Sequence, residues 1–110
     1  MKKWLLTIFL VCCVSNVMAY NIVRDGIYYN IDRSNMTAVV TGKSSYGATK
    51  TYSGNVVVPE IVWHDDLAMI DAFTVVGIDE YAFYDCDELL SVALPNTIKR
   101  IGNYAFLGCI

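Results

Sequence analysis

The chain has 110 residues, 8 basic and 11 acidic side chains, one histidine and four cysteines, with a formal net charge of −3. That length allows one small domain. The acidic balance argues against nucleic acid or an anionic membrane surface as a partner, because both are bound chiefly through basic side chains.

The N-terminus reads as a secretory signal peptide. Lys2 and Lys3 form a short positive segment, Trp4 to Val14 is apolar apart from Thr7, and Val17-Met18-Ala19 puts Ala19 at a cleavage position. An apolar run of about 11 residues falls short of the roughly 20 that span a bilayer, so the mature chain is expected to hold no transmembrane segment. A lipoprotein reading of Leu10-Val11-Cys12-Cys13 is weak, since the residue before the modified cysteine should be small and is Val11 or Cys12 here. Removing nineteen residues from 110 leaves 91, and losing Lys2 and Lys3 takes 8 basic residues to 6 against 11 acidic, a net charge of −5. Cys12 and Cys13 leave with the signal. Cys86 and Cys109 remain, too few for a disulfide-stapled miniprotein.

After Tyr20-Asn21-Ile22-Val23, the stretch Gly26 to Asp32 is rich in β-branched and aromatic residues. Arg33-Ser34-Asn35-Met36 supplies turn formers, and Thr37-Ala38-Val39-Val40-Thr41 is β-prone again, so strand, turn and strand predict a hairpin. Gly42 to Gly54 is polar and reads as a connector. Val56-Val57-Val58 is a short strand ended by Pro59, which cannot donate to a ladder. Ile61 to Val76 stays ambiguous. Asp65-Asp66 suits the start of a helical turn over Leu67, Ala68, Met69 and Ile70, while Ala72-Phe73-Thr74-Val75-Val76 suits a strand equally well.

The strongest signal is a repeat. GIDEYAFYDC at Gly77 to Cys86 returns as RIGNYAFLGC at Arg100 to Cys109. Ile78, Tyr81, Ala82, Phe83 and Cys86 recur 23 positions on as Ile101, Tyr104, Ala105, Phe106 and Cys109. Between the copies, Leu89, Val92 and Leu94 have the spacing L-x-x-V-x-L. In a strand, Val92 and Leu94 share one face while Ser91 and Ala93 share the other. An earlier partial copy, Val56-Val57-Val58-Pro59, lies 36 positions before Val92-Ala93-Leu94-Pro95, which makes most of Trp63 to Val75 an insertion. Each unit reads as strand, proline, connection, apolar Ile and a short helical turn carrying Ala and Phe. Asp79 is placed to cap the first turn, with Gly102 in the equivalent place. One unit cannot bury its apolar side alone, and stacking gives each Ile, Leu and Phe a like neighbour. A period of about 20–29 residues is that of leucine-rich repeats.

The pattern of Ile78, Ala82, Phe83, Cys86, Leu89, Val92, Leu94, Pro95, Ile98, Ile101, Gly102, Ala105, Phe106 and Cys109 resembles the BspA-type leucine-rich repeat of bacterial surface proteins. The clear resemblance covers Val76 to Ile110, and Val56 to Val76 is similar to the longer unit that often precedes such arrays. The expected fold is mainly β with short helical turns, a β-hairpin leading into about two to three units of a solenoid. The expected divisions are 1–19 signal peptide, 20–54 hairpin region and 55–110 repeats, with a first unit at 55–76 and repeat turns at 77–88 and 100–110. The repeat core is expected to hold Ile78, Ala82, Phe83, Cys86, Leu89, Val92, Leu94, Ile98, Ile101, Ala105, Phe106 and Cys109. Arrays need about three units and a polar cap. None is visible before Ile110, so Leu94, Ile101 and Phe106 are expected to face an open end, consistent with a truncated product or with self-association.

Little announces chemistry, and no catalytic residue, cofactor or metal is expected. Cys86 and Cys109 read as small apolar members of a core ladder, with a disulfide between units left open. Zinc would want four ligands. His64-Asp65-Asp66 has acid–base character and reads as a solvated loop; a small secreted hydrolase using His64 is the remote alternative. Asp85-Cys86-Asp87-Glu88 lacks the alternation of a calcium loop. Asn35-Met36-Thr37 is a glycosylation sequon if the source is eukaryotic. Tyr28, Tyr29, Tyr46 and Tyr52 read either as a sticky aromatic surface or, for Tyr28 and Tyr29, as neighbours on opposite faces of one strand. If the array binds, the outward residues of the two sheet strands are Asn55, Val57, Ser91 and Ala93. The residues read as an exported, non-enzymatic repeat module for protein–protein interaction, and the resemblance implies cell-surface attachment or adhesion to host surface proteins.

Overall fold

The structure, a computed structural model, describes residues 20–43, 50–66 and 69–109. The signal-like segment 1–19, Tyr46 and the pair Leu67-Ala68 lie outside the described residues. Eight strands follow in order among those described: β1 (Ile22–Arg24), β2 (Ile27–Asp32), β3 (Thr37–Thr41), β4 (Gly54–Val57), β5 (Ile61–Asp66), β6 (Met69–Ile78), β7 (Leu89–Ala93) and β8 (Arg100–Ile101).

The expected hairpin is β2 and β3, antiparallel, with Asp32 opposite Thr37. One more strand precedes it. β1 pairs with β2 through Asp25 and Gly26, both left-handed with φ of 52° and 80°. A two-residue turn with φ positive at both positions matches the twist of its strands, and Asp-Gly favours it. Along β2 and β3, Ile27, Tyr29, Ala38 and Val40 point inward and are buried.

β6 organises the larger sheet, whose order is β1-β2-β3-β6-β5. On one edge it runs parallel to β3. On the other, its first half pairs antiparallel with β5 and its last two residues pair parallel with β8. The segment that sequence left ambiguous is therefore a β5–β6 hairpin, with Met69 and Ile70 in strand rather than in a helical turn. The sheet curls until the Arg24 guanidinium at the end of β1 donates from Nε to the Trp63 carbonyl of β5 at 2.9 Å. The smaller sheet is β4 beside β7, parallel, with Val56 opposite Val92 as the 36-residue offset requires.

Three layers stack at the end of the larger sheet. Val40, Ile78 and Ile101 lie side by side in β3, β6 and β8. Strand β3 of the hairpin thus belongs to the same sheet as the repeat strands.

The turn of each unit is not helical. Bonds from Ala82 N to Asp79 O and from Cys86 N to Phe83 O close two successive four-residue turns, and the second copy repeats them from Ala105 to Gly102 and from Cys109 to Phe106. The third residue of each turn is left-handed: Tyr81, Asp85, Tyr104 and Gly108 have φ of 63°, 57°, 60° and 86°. Left-handed residues end any helix, and they turn backbone donors sideways to the next unit. Tyr81, Phe83 and Asp85 donate their N–H groups to the carbonyls of Asn103, Ala105 and Leu107. Asp79 accordingly caps no helix; its carboxylate accepts from the neighbouring Glu80 N–H at 3.0 Å.

Aromatic rings carry the stack through the core. Phe83 lies between Tyr52 and Phe106, with ring centres 4.6 and 4.9 Å away. Tyr28 continues the series beside Tyr52, and Tyr20 beside Tyr28. Tyr52 is buried, its hydroxyl donating to Thr41 O at 2.5 Å and accepting from Tyr28 N at 3.0 Å. Burial pushes that phenol above its ordinary range, outweighing the Tyr28 N–H bond that lowers it.

Candidate functional site

Alternation along β4 and β7 decides what the small sheet shows. Val56 points into the core while Asn55, Val57, Ser91 and Ala93 are all exposed, with Asn55 opposite Ser91 and Val57 opposite Ala93. The Ser91 hydroxyl donates to Asn55 Oδ1 at 2.7 Å. Val57 is 69% exposed, a large apolar side chain standing free on this face. The four residues form a small, nearly neutral patch, suited to another molecule's backbone or apolar side chains rather than to a charged ligand.

A groove borders this patch. One cleft of about 320 Å³ is walled by Val57, Pro59, Ile61 and Trp63 over a floor of Ile27 and Tyr29, with Arg24 and Asp25 at its rim. A second, about 310 Å³, continues past Asn55 towards Thr51, Tyr52 and Ser53. Asp25, Ile27 and Val57 line both. Burial first, then the Asp25 charge, pushes the Tyr29 phenol up to about 12.

The far end of the stack is apolar. Val40 and Ile78 are buried, whereas Ile101, in the third layer, is 51% exposed. Leu94 and Leu107 are also exposed, and Phe106 is half-buried against the core. Of the residues assigned to the repeat core, Ala82, Phe83, Cys86 and Ala105 are buried, and Leu89, Val92, Ile98 and Cys109 pack partly against them. From the first copy to the second, burial falls at the Ile, Phe and Cys positions and holds at the Ala position.

Both described cysteines are free thiols. Cys86 is buried, its sulfur accepting from Tyr52 N at 3.5 Å, and Cys109 donates to Phe83 O at 2.9 Å. Burial raises the Cys109 thiol above its ordinary value, which makes it a poor nucleophile. His64 lies on β5 across from Asp71, whose carboxylate is bonded to Arg33 at 2.7 Å. Among the described residues, His64 Nδ1 has no hydrogen-bond partner. Likewise among those residues, no group of three or more His, Cys, Asp or Glu side chains is placed to hold a metal ion, and no helix is long and apolar enough to cross a membrane.

Two parallel ladders, a recurrent pair of turns and stacked Phe rings at a 23-residue spacing describe a solenoid. Residues 70–110 match the family model of the BspA type leucine-rich repeat region. This segment is similar to a BspA-type leucine-rich repeat. Both ladders of the matched segment extend backwards in space, since β3 and β4 continue them. A leucine-rich repeat protein from Bacteroides ovatus is 29% identical, with a TM-score of 0.65 over 82% of this chain and 21% of that one. A leucine-rich cell surface protein from Faecalibacterium prausnitzii is 18% identical, with a TM-score of 0.42 over 80% of this chain and 28% of that one. The chain thus spans a quarter or so of the length of these solved relatives. No curated protein matches it.

Three features of the site escaped the sequence reading. Asp25-Gly26 carries a turn signal that predicts β1. Tyr52 sits in a polar stretch, and nothing local marks it as the first ring of the Phe83 stack. Trp63 lies in what sequence treats as inserted material, yet it walls the groove beside the proposed face.

Proposed function

We propose that the protein is an exported, non-enzymatic binding module, displayed at the cell surface and holding a partner protein or host surface protein through the β4–β7 face. The observation that carries this reading is the exposure of Asn55, Val57, Ser91 and Ala93 together on one side of a parallel ladder. Solenoids bind through such extended faces because the repeat sets out side chains at regular spacing on a rigid support. An apolar side chain in a neutral surround gains by desolvation on contact and loses little by giving up water.

Two charges at the centre of the patch test it. Ser91→Glu with Ala93→Glu should leave the fold intact, since both side chains point to solvent, and should abolish adhesion of the protein to host-cell or protein-coated surfaces. Unchanged adhesion in the folded double variant would remove this face from consideration.

Export rests on Lys2, Lys3, the apolar Trp4 to Val14 and Ala19. Sequencing the N-terminus of protein recovered from its own source should begin at Tyr20. A mature chain beginning at Met1 would refute cleavage.

A second reading draws on the apolar end of the stack. The exposure of Ile101, Leu94 and Leu107 suits cover by a further repeat or by a second copy of the chain.

A further inference from the structure

The open edge of β4 is a separate feature from the face it carries. Among the described residues β4 has one neighbour, β7. In a parallel pair, one residue turns both N–H and C=O to the neighbouring strand and the next turns both away. Val58 N donates to Ala93 O at 2.9 Å, which sets Val56 and Val58 towards β7. Asn55 and Val57 then present their N–H and C=O groups to the other side. The groove lies there: both of its clefts are lined by Val57, by Asp25 of the β1–β2 turn and by Ile27 at the start of β2, and neither by a residue of β7. Unpaired strand edges are templates for another strand.

We propose that the groove takes an extended peptide segment of a partner protein, added as a strand to the open edge of β4. A large apolar side chain seats against Trp63 and Ile27, and a basic residue two positions along lies beside Asp25. Main-chain bonds to a sheet edge supply affinity in this mode, and pockets for alternate side chains supply selectivity.

The dimensions agree. Residues two apart on a strand project to one side about 7 Å apart; the two clefts meet at Val57, and the second reaches on to Asn55, two positions along β4. The first cleft is mostly apolar and is walled by Trp63, 57% exposed. The second is lined by Thr51, Ser53 and Asn55. Asp25 is the carboxylate common to both clefts, and the nearby Arg24 guanidinium is held by the Trp63 carbonyl. A basic side chain in the peptide complements Asp25 and the acidic chain as a whole, whose net charge is −3. The inference uses the backbone of β4 and the groove, not Ser91 or Ala93, so it stands or falls apart from the face proposed above.

The probe is an array of synthetic peptides, acetyl-Gly-X-Ser-Z-Gly-amide, with X as Ala, Leu, Phe or Trp and Z as Ser, Lys, Arg or Glu, titrated against the full chain by fluorescence anisotropy. Peptides with X large and apolar and Z basic should bind best, and N-methylation of the central Ser amide or its neighbour should weaken binding roughly tenfold, the effect of losing about one well-formed hydrogen bond. Val57→Pro deletes an outward N–H without touching the bonds to β7, and an edge strand tolerates it. It should weaken binding by a similar factor with the cooperative unfolding curve retained. Asp25→Asn keeps a residue that accepts left-handed φ and should erase the preference for Lys or Arg over Ser at Z. Three results would overturn the proposal: no peptide of the array binding, equal binding of N-methylated peptides, or full binding by folded Val57→Pro. A chain dimer that Val57→Pro dissociates would also overturn it, by assigning the edge to a second copy.

Discussion

Replacing Phe83 by Ala should destabilise the protein by about 3–5 kcal/mol, enough to unfold much of it at room temperature. Phe83 is fully buried and its ring is the middle of three, between Tyr52 of the connector and Phe106 of the next unit. Truncating a buried Phe forfeits its transfer free energy and leaves a cavity, together about 3–5 kcal/mol. Native domains hold about 5–15 kcal/mol in total, and a chain of this size sits towards the lower end. The gap cannot collapse easily, because the rings on both sides are fixed by ladders: Phe83 N bonds to Ala105 O and Tyr52 N to the Cys86 sulfur. Leu90→Ala is the comparison, at a side chain 78% exposed on β7. It should change the urea midpoint little. Tyr52→Phe, which keeps the ring and removes the hydroxyl shared by Thr41 and Tyr28, should fall between the two at about 1–3 kcal/mol. A Phe83→Ala midpoint close to that of Leu90→Ala would mean that the rings do not hold the units together.

The order of these effects shows what sequence can and cannot supply. Phe83 and Phe106 are legible because they recur at a fixed spacing, and recurrence reports a shared environment without requiring a structure. Val56 opposite Val92 is legible for the same reason, through the Pro59 and Pro95 that follow them. Tyr52 is not, because its partners Thr41, Tyr28 and Phe83 are distant or of another type, and the ring performs the role of a repeat Phe without standing in a repeat. The turn at 79–86 departs from the helical expectation for a physical reason. Ala82 and Phe83 suit a helix, and Asp79 suits its cap. The competing fact is lateral: Tyr81 and Asp85 adopt left-handed φ so that backbone donors reach Asn103 and Leu107 of the next unit. A left-handed non-glycine residue costs energy, and here inter-unit bonds and the stacking of Tyr81 on Tyr104 offset it. A single-copy reading cannot see a conformation whose reason lies in the neighbouring copy. The outward residues Asn55, Val57, Ser91 and Ala93 follow from period two alone, whereas the groove beside them depends on a curl that brings β1 to β5 and has no trace in local pattern.

The same dependence on the neighbour makes Gly102→Ala the sharpest test of stacking. A methyl group at Gly102 would lie 2.5 Å from Glu80 N and 2.9 Å from Asp79 C, both backbone atoms of the preceding unit. Backbone cannot rotate aside as a side chain does, so the units must separate. The Gly102 N–H bond to Ile78 O, at 2.8 Å, lies in the path of that separation. Overpacking of this kind costs about 1–3 kcal/mol, and the damage should be local. In hydrogen exchange, the amides of Phe83 and Asp85 should lose protection with the ladder to Ala105 and Leu107, while those of β2 and β3 keep theirs. Gly77→Ala gives the contrast. There the approaches are 3.1 Å to Arg100 Cγ and 3.3 Å to both Arg100 O and Val39 Cγ1, which need shifts of only a few tenths of an ångström, so the loss should stay below that of Gly102→Ala. In the first copy the equivalent of Gly102 is Asp79, a residue with a full side chain. Its N–H donates to the Val40 carbonyl of the layer beneath at 2.7 Å, as the Gly102 N–H does to Ile78 O. If Gly102→Ala unfolds at the wild-type midpoint with unchanged protection at Phe83 and Asp85, the two units do not approach as closely as the Ile78–Gly102 bond requires, and the packed stack is refuted.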